Sequence, residues 1–193
     1  MHSLTYMPLT DTPRSTADAR RTTVVAKAVS VFGRGGYHAT PVTDVAIAAG
    51  ISQAYVLRLF GGKLGLFTAA LDRCYLLIRE ALTAGAEQVP DGTPAEVLEV
   101  MGDAYAGLIS DRDLLMLQIH AQSASDIPEI REAVRRGYAS VVDLAKELSG
   151  GTDAEVQQFI ALGQLCHLIV SASLESVDAN WARILTTGMR HPS

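Results

Sequence analysis

The sequence predicts an all-α chain of about nine helices, on three observations. Ala (27) and Leu (22) supply about a quarter of the 193 residues, and both favour helix. Apolar positions recur at helical rather than strand spacing nearly everywhere. Glycines, prolines and hydroxyl side chains punctuate that periodicity where helices should start and stop. Hydrophobic residues make up 48% of the chain and charged residues 19%, so a core can be buried and a disordered tail is excluded. The length suits one compact unit, or a small module fused to a medium one, and excludes a large multidomain enzyme.

Residues 1–19, rich in Thr, Ser, Asp and Pro, form no apolar face and read as a flexible N-terminal arm. Arg20 to Gly33 places Val25, Ala28, Val29 and Phe32 on one face, and Gly33, Gly35 and Gly36 should end that helix. These glycines follow a helix rather than a strand, so they are not a dinucleotide loop. Thr40-Pro41 reads as an N-cap followed by proline at the first helical position, with Asp44 in the first turn, giving a short helix to Ala49 that Gly50 stops. Ser52 can cap a successor, Gln53 to Phe60. Lys63 opens a longer helix to about Ala86, and Pro90-Asp91-Gly92-Thr93-Pro94 is the clearest break in the chain. Helices should follow over Val97 to Leu108, Asp113 to Ser123, Pro128 to the Gly150-Gly151 pair, Ala154 to Ser173 and Val177 to Thr187. The longest apolar stretch, Ile160 to Ala172, is broken by Gln164 and His167 and falls short of the roughly 20 residues a membrane helix needs. No secretory signal is legible, and Cys74 and Cys166 have no CxxC spacing, so the expected setting is a reducing cytoplasm with no membrane partner.

The net charge of −5 conceals an asymmetry. Up to Lys63 there are seven Lys/Arg against three acids, a surplus of four positive charges, while the remainder carries nine net negative charges. A basic first third on an acidic body is the pattern of a polyanion-binding module joined to a domain with another task. Within that basic third, Val42 to Leu59 has the parts of a helix-turn-helix. Ala46 is the small residue where two helices cross, Gly50 is the turn, and Val45, Ala49, Ile51, Val56 and Leu59 lock the pair.

This stretch resembles the TetR family of bacterial transcriptional repressors. The resemblance rests on a helix ending in Phe32, the Gly36-Tyr37-His38-Ala39-Thr40 turn, the helix-turn-helix itself, and Phe60-Gly61-Gly62-Lys63. It covers about residues 20–70, and beyond them only helix count, length and an apolar C-terminal helix pair agree. Leu57 stands where the family often has a phosphate-contacting Tyr, and Pro41 stands where it usually has Ser or Thr. The resemblance implies a helix-turn-helix DNA-binding domain over residues 20–66 and a ligand-binding and dimerisation domain over residues 67–193.

A recognition helix reads base edges with its exposed N-terminal side chains while neighbours hold phosphates. Ser52, Gln53, Ala54, Tyr55 and Arg58 are the exposed candidates. Gln53 can bond adenine, Ala54 can touch a thymine methyl, and Arg58 can pair with guanine or phosphate. Thr40, Thr43 and Lys63 stand at helix starts, where a phosphate is favoured. In the acidic body, polar residues are scattered along apolar stripes: Tyr105, Gln118, His120, Gln122, Tyr138, Gln164 and His167. Core hydrogen bonding or dimer contact would explain any one of them. The resemblance implies a cavity, for which Met101, Tyr105, Met116, Ile119, His120, Tyr138, Phe159 and His167 are the candidates. The first of the two C-terminal helices is apolar over more than one face, so Phe159, Leu162, Leu165 and Ile169, with Trp181, Ile184 and Leu185, are expected to pack against a twofold copy.

The expected function is transcription regulation by a homodimeric repressor, bound to a palindromic double-stranded DNA operator and released by a small, mostly apolar effector. No cofactor, metal or catalytic group is expected. A DNA-binding regulator without a small-molecule ligand is one alternative. A helical enzyme using His120 and His167 is another, although Cys166 and His167 are adjacent and point to different sides of a helix.

Overall fold

The computed structural model describes residues 12–189, which form nine α-helices, one short 3₁₀ turn and no strand. The helices are α1 Thr12–Ala39, α2 Val42–Ala49, α3 Gln53–Phe60, α4 Lys63–Ala86, α5 Pro94–Leu108, α6 Arg112–Ser123, α7 Pro128–Ser149, α8 Asp153–Ser171 and α9 Asn180–Thr186, with the 3₁₀ turn at Leu174–Ser176. The expected all-α class and helix order are found. Most boundaries agree within three residues, and the exceptions have physical causes.

Residues 12–19, expected in the arm, begin α1; residues 1–11 lie outside the described residues. At its other end α1 does not stop at Gly33. Gly33 stays helical because α1 crosses α6 there so closely that a Cβ would lie 2.3 Å from the carbonyl oxygen of Asp113. The helix breaks instead at Gly36, whose φ of 69° belongs to the left-handed region. Thr40, expected to cap α2, does not: Pro41 is the N-cap residue and no side chain caps that end. The Thr40 side chain is buried against Gly35. Four other starts, those of α3, α5, α6 and α8, carry side-chain caps. Ser52 accepts from the backbone of Tyr55, Asp111 from that of Asp113, and Thr93 with Glu96 and Thr152 with Glu155 form reciprocal capping boxes.

Helices α1 to α3 pack around Val24, Ala28, Phe32, Val45, Ala46, Val56 and Phe60. Phe32 meets Phe67 of α4 edge to face at 4.9 Å between ring centroids, and Tyr37 meets the same ring at 5.1 Å. The boundary expected at residues 66 and 67 therefore falls within α4, a continuous helix that packs against α1 on one side and α5 and α7 on the other. Its buried side chains, from Leu66 to Leu82, belong to one core running from Val24 to Val156. No single described helix is long and apolar enough to cross a membrane.

Candidate functional site

Helices α2 and α3 meet at 106°, within the usual range of a helix-turn-helix. Gly50, at φ 66°, makes the turn, and the N–H of Ile51 returns to the carbonyl of Ala46 at 3.0 Å. With Val56 and Phe60 buried, α3 turns Ser52, Gln53, Ala54 and Arg58 outward, and Tyr55 is half-exposed. The Gln53 carboxamide oxygen accepts from the Thr43 hydroxyl at 3.0 Å, which aims its NH₂ group outward. Arg58 lies 5.2 Å from the Tyr55 ring centroid, so these two side chains brace each other. Lys63 is half-buried; its ammonium donates to the His38 carbonyl at 3.2 Å and sits 4.9 Å from the Tyr37 ring centroid. It therefore ties the start of α4 to the end of α1. Thr40 is only 4% exposed, so little of it reaches the surface beside the reading helix. Arg21 adds a tie that was not foreseen, donating to the Leu59 carbonyl at 2.9 Å and covering the Phe60 ring.

In the body, α4, α5, α7 and α8 enclose a mostly apolar cavity of about 200 Å³. Of the eight candidates, Tyr105, Tyr138 and Phe159 line it. Met101 is instead fully buried in the core, and Ile119 packs with Ile109 and Leu115. Met116 is not among the lining residues. His120 is also outside the cavity: its ring packs against Gly36 at the break in α1, and its buried Nε2 has no partner. His167 stands one side chain behind the wall, with Nε2 2.6 Å from the Tyr105 hydroxyl, which also donates to Gln118 Oε1 at 3.2 Å. Burial holds the His167 imidazole neutral, with its pKa lowered to about 4. The two histidines of the enzyme alternative thus stand in separate surroundings. Among the described residues no three His, Cys, Asp or Glu side chains gather as a metal site.

Gln118 and Gln164, noted among the polar residues of the apolar stripes, line the cavity, whereas sequence reasoning did not single out Tyr75 or Cys166. Tyr75 has no local signal, because its ring lies flat on Gly137 of α7, where a Cβ would come within 2.2 Å of the ring. Among the interface candidates, Ile169 is fully buried within the subunit and belongs to its core. The outward face of α8 instead carries Leu162 and Leu168, with Leu165 half-buried beside them. Trp181 (53% exposed) and Ile184 (68%) extend that face on α9, where Leu185 is half-buried. Phe159 turns its ring to the cavity.

A wide-angled helix-turn-helix with an exposed second helix, set on a helical body with its own cavity, is the arrangement of a DNA-binding module joined to a second helical unit. Residues 24–70 match the model of the family described as bacterial regulatory proteins, tetR family. The TetR-like regulator from Rhodococcus sp. RHA1 is similar over 86% of this chain and 91% of its own, at 24% identity and a TM-score of 0.62. The Bacillus subtilis regulator FadR, solved in complex with stearoyl-CoA, is similar over 88% of this chain and 99% of its own, at 17% identity and a TM-score of 0.67. The multidrug binding protein EbrR, solved with imidazole, is similar over 90% and 97%, at 20% identity and a TM-score of 0.62. The chain has the fold of these regulators over most of its length, and its helix-turn-helix is the part that matches the family's model.

Proposed function

We propose that the protein is a cytoplasmic repressor, with residues 20–66 as its DNA-binding domain and residues 67–193 as its ligand-binding and dimerisation domain. Two subunits pair through the exposed apolar face of α8 and α9 and place their α3 helices in successive major grooves of a palindromic operator. Ser52, Gln53, Ala54, Tyr55 and Arg58 face the bases and flanking phosphates, while Thr43 orients Gln53 and Lys63 approaches the backbone. A small, mostly apolar molecule in the cavity favours a body conformation with the wrong spacing between the two α3 helices, and DNA is released.

The observation that carries this reading is the position of α6. Its Gln118 lines the cavity, while its Asp113 pairs with Arg34 of α1 at 3.1 Å and its His120 packs on Gly36. One rigid element thus touches both sites, so a shift forced at Gln118 reaches the break in α1 just before the helix-turn-helix. A ligand can act only by its differential affinity for the two arrangements. The related FadR and EbrR structures hold stearoyl-CoA and imidazole, which supports a ligand of some kind here.

The test is a gel shift on the DNA upstream of the protein's own gene, repeated with whatever organic compound mass spectrometry finds copurifying. A retarded band that the compound abolishes is expected. A band that no copurifying compound alters would leave a DNA-binding regulator controlled by other means.

A further inference from the structure

The polar wall of the cavity has a direction. Tyr138 accepts from the side-chain amides of both Gln122 and Gln164, each at 2.7 Å, and Gln122 also donates to Gln164 Oε1 at 3.2 Å. A phenol oxygen receiving two N–H groups has spent its acceptor capacity, and its own proton remains for a third partner. Tyr105 differs, because its proton goes to Gln118 Oε1 or His167 Nε2. Tyr75, only 5% exposed and also lining the cavity, has a buried hydroxyl with no hydrogen-bond partner. Burial raises the pKa of both Tyr75 and Tyr138, so both stay protonated donors at neutral pH.

The rest of the lining sets charge and size. Ile78, Leu82, Val141, Phe159 and Ile160 supply an apolar flank. Among the described lining residues the charged side chains are the carboxylates Glu99 and Asp103, with no Lys, Arg or His. The wall around Tyr138 is made of neutral phenol and carboxamide groups, so a charged head of either sign placed against it would leave water without a counter-charge there, a transfer that costs several kcal/mol. About 200 Å³ is also below the roughly 300–1,000 Å³ of sites for drug-sized ligands. The long acyl chain and phosphates of a molecule like the one bound to FadR do not match such a space.

We propose that the cavity takes a small uncharged molecule, apolar along most of its length, that offers a carbonyl or hydroxyl oxygen to the Tyr138 hydroxyl. This rests on the ligand-response reading and narrows its ligand class. Four compounds of equal chain length separate the possibilities: 2-octanone, 1-octanol, octanoate and octylammonium, each tested at neutral pH by thermal shift and calorimetry on the full-length protein. The ketone and the alcohol should raise the melting temperature, and the two ions should not. Tyr138→Phe should weaken the ketone by about tenfold, the worth of one neutral hydrogen bond, and abolish its preference over 1-octene. The unliganded melting curve of that variant reports whether its fold survives. Octanoate or octylammonium binding as tightly as the ketone would overturn the uncharged class while leaving ligand response intact. Silence from all four compounds overturns this proposal, and together with a gel-shift band that no copurifying compound alters it removes ligand response as well.

Discussion

Gln53 and Lys63 stand ten residues apart, and the proposed docking gives them different parts of the same duplex. Gln53 lies in the first turn of α3 with its carboxamide oriented by Thr43. Gln53→Ala should therefore cost roughly 1 to 3 kcal/mol on the cognate operator and relax preference at one or two base pairs per half-site. Lys63, held to His38 and Tyr37 beyond the end of α3, is positioned for the backbone. Lys63→Ala should weaken cognate and scrambled DNA about equally. Binding titrations of both variants on both DNAs decide the matter, and the reverse pattern would mean the motif is docked the wrong way round. A second residue-scale prediction concerns His167. Its folded pKa, about 4, lies below the ordinary value of 6.5. The unfolded chain therefore binds more protons between those values, and stability present above pH 6.5 is lost as pH falls towards 4. The loss between pH 7.5 and pH 5 should be about 2 kcal/mol in urea unfolding. His167→Gln should flatten that interval. The reading face was legible in the sequence because it is local: four residues of α3 and a glycine turn fix which side chains point out. The cavity was legible only in part: Tyr105, Tyr138 and Phe159 were expected there, but Tyr75 reaches it only through Gly137, more than sixty residues away.

Among the helices, what sequence reading supplies is phase, and α8 shows the limit. Its apolar residues were correctly seen to exceed one face, yet Ile169 turns into the subunit core and its neighbour Leu168 turns out. One residue is about 100° of helix, so only the tertiary packing of α8, where Cys166 meets Ile109 and Leu115, settles which face looks inward. The end of α1 is similar. Three glycines announced a break, but which of them breaks depends on α6, since the carbonyl of Asp113 claims the space over Gly33. The consequence for the proposed dimer is direct. Leu162→Asp with Leu168→Asp should give folded monomers in sedimentation at micromolar concentration, with a cooperative melting transition retained. Ile169→Asp should instead lower the melting temperature sharply, because it buries an unpaired carboxylate inside the subunit. If the double variant sediments as a dimer, the interface lies elsewhere on the surface.

At the scale of the whole molecule, charge and helix order were the most legible features, because both survive any error in side-chain phase. The four surplus positive charges up to Lys63 sit on a body carrying nine net negative ones, so attraction to DNA is concentrated in one end of each subunit and the rest is repelled. Not all of the basic residues are equally available. Arg34 is paired with Asp113, whereas Arg58 is exposed on α3 and Lys63 lies at the start of the next helix. With Arg58 and Lys63 each neutralising one phosphate per subunit, a dimer releases counterions from at least four phosphates. The log–log dependence of affinity on salt should then have a slope of about −3.6 or steeper, at about −0.9 per phosphate. Lys63→Ala should make that slope shallower by about 1.8 for the dimer, while Arg34→Ala, which breaks a bond within the protein, should change it less. Because counterion release is independent of sequence, the same slopes should appear on scrambled DNA at lower affinity. Fluorescence anisotropy on both DNAs between low and moderate salt measures all of these values. A flat response in the wild type would mean that the basic end of the chain is not where the duplex is held.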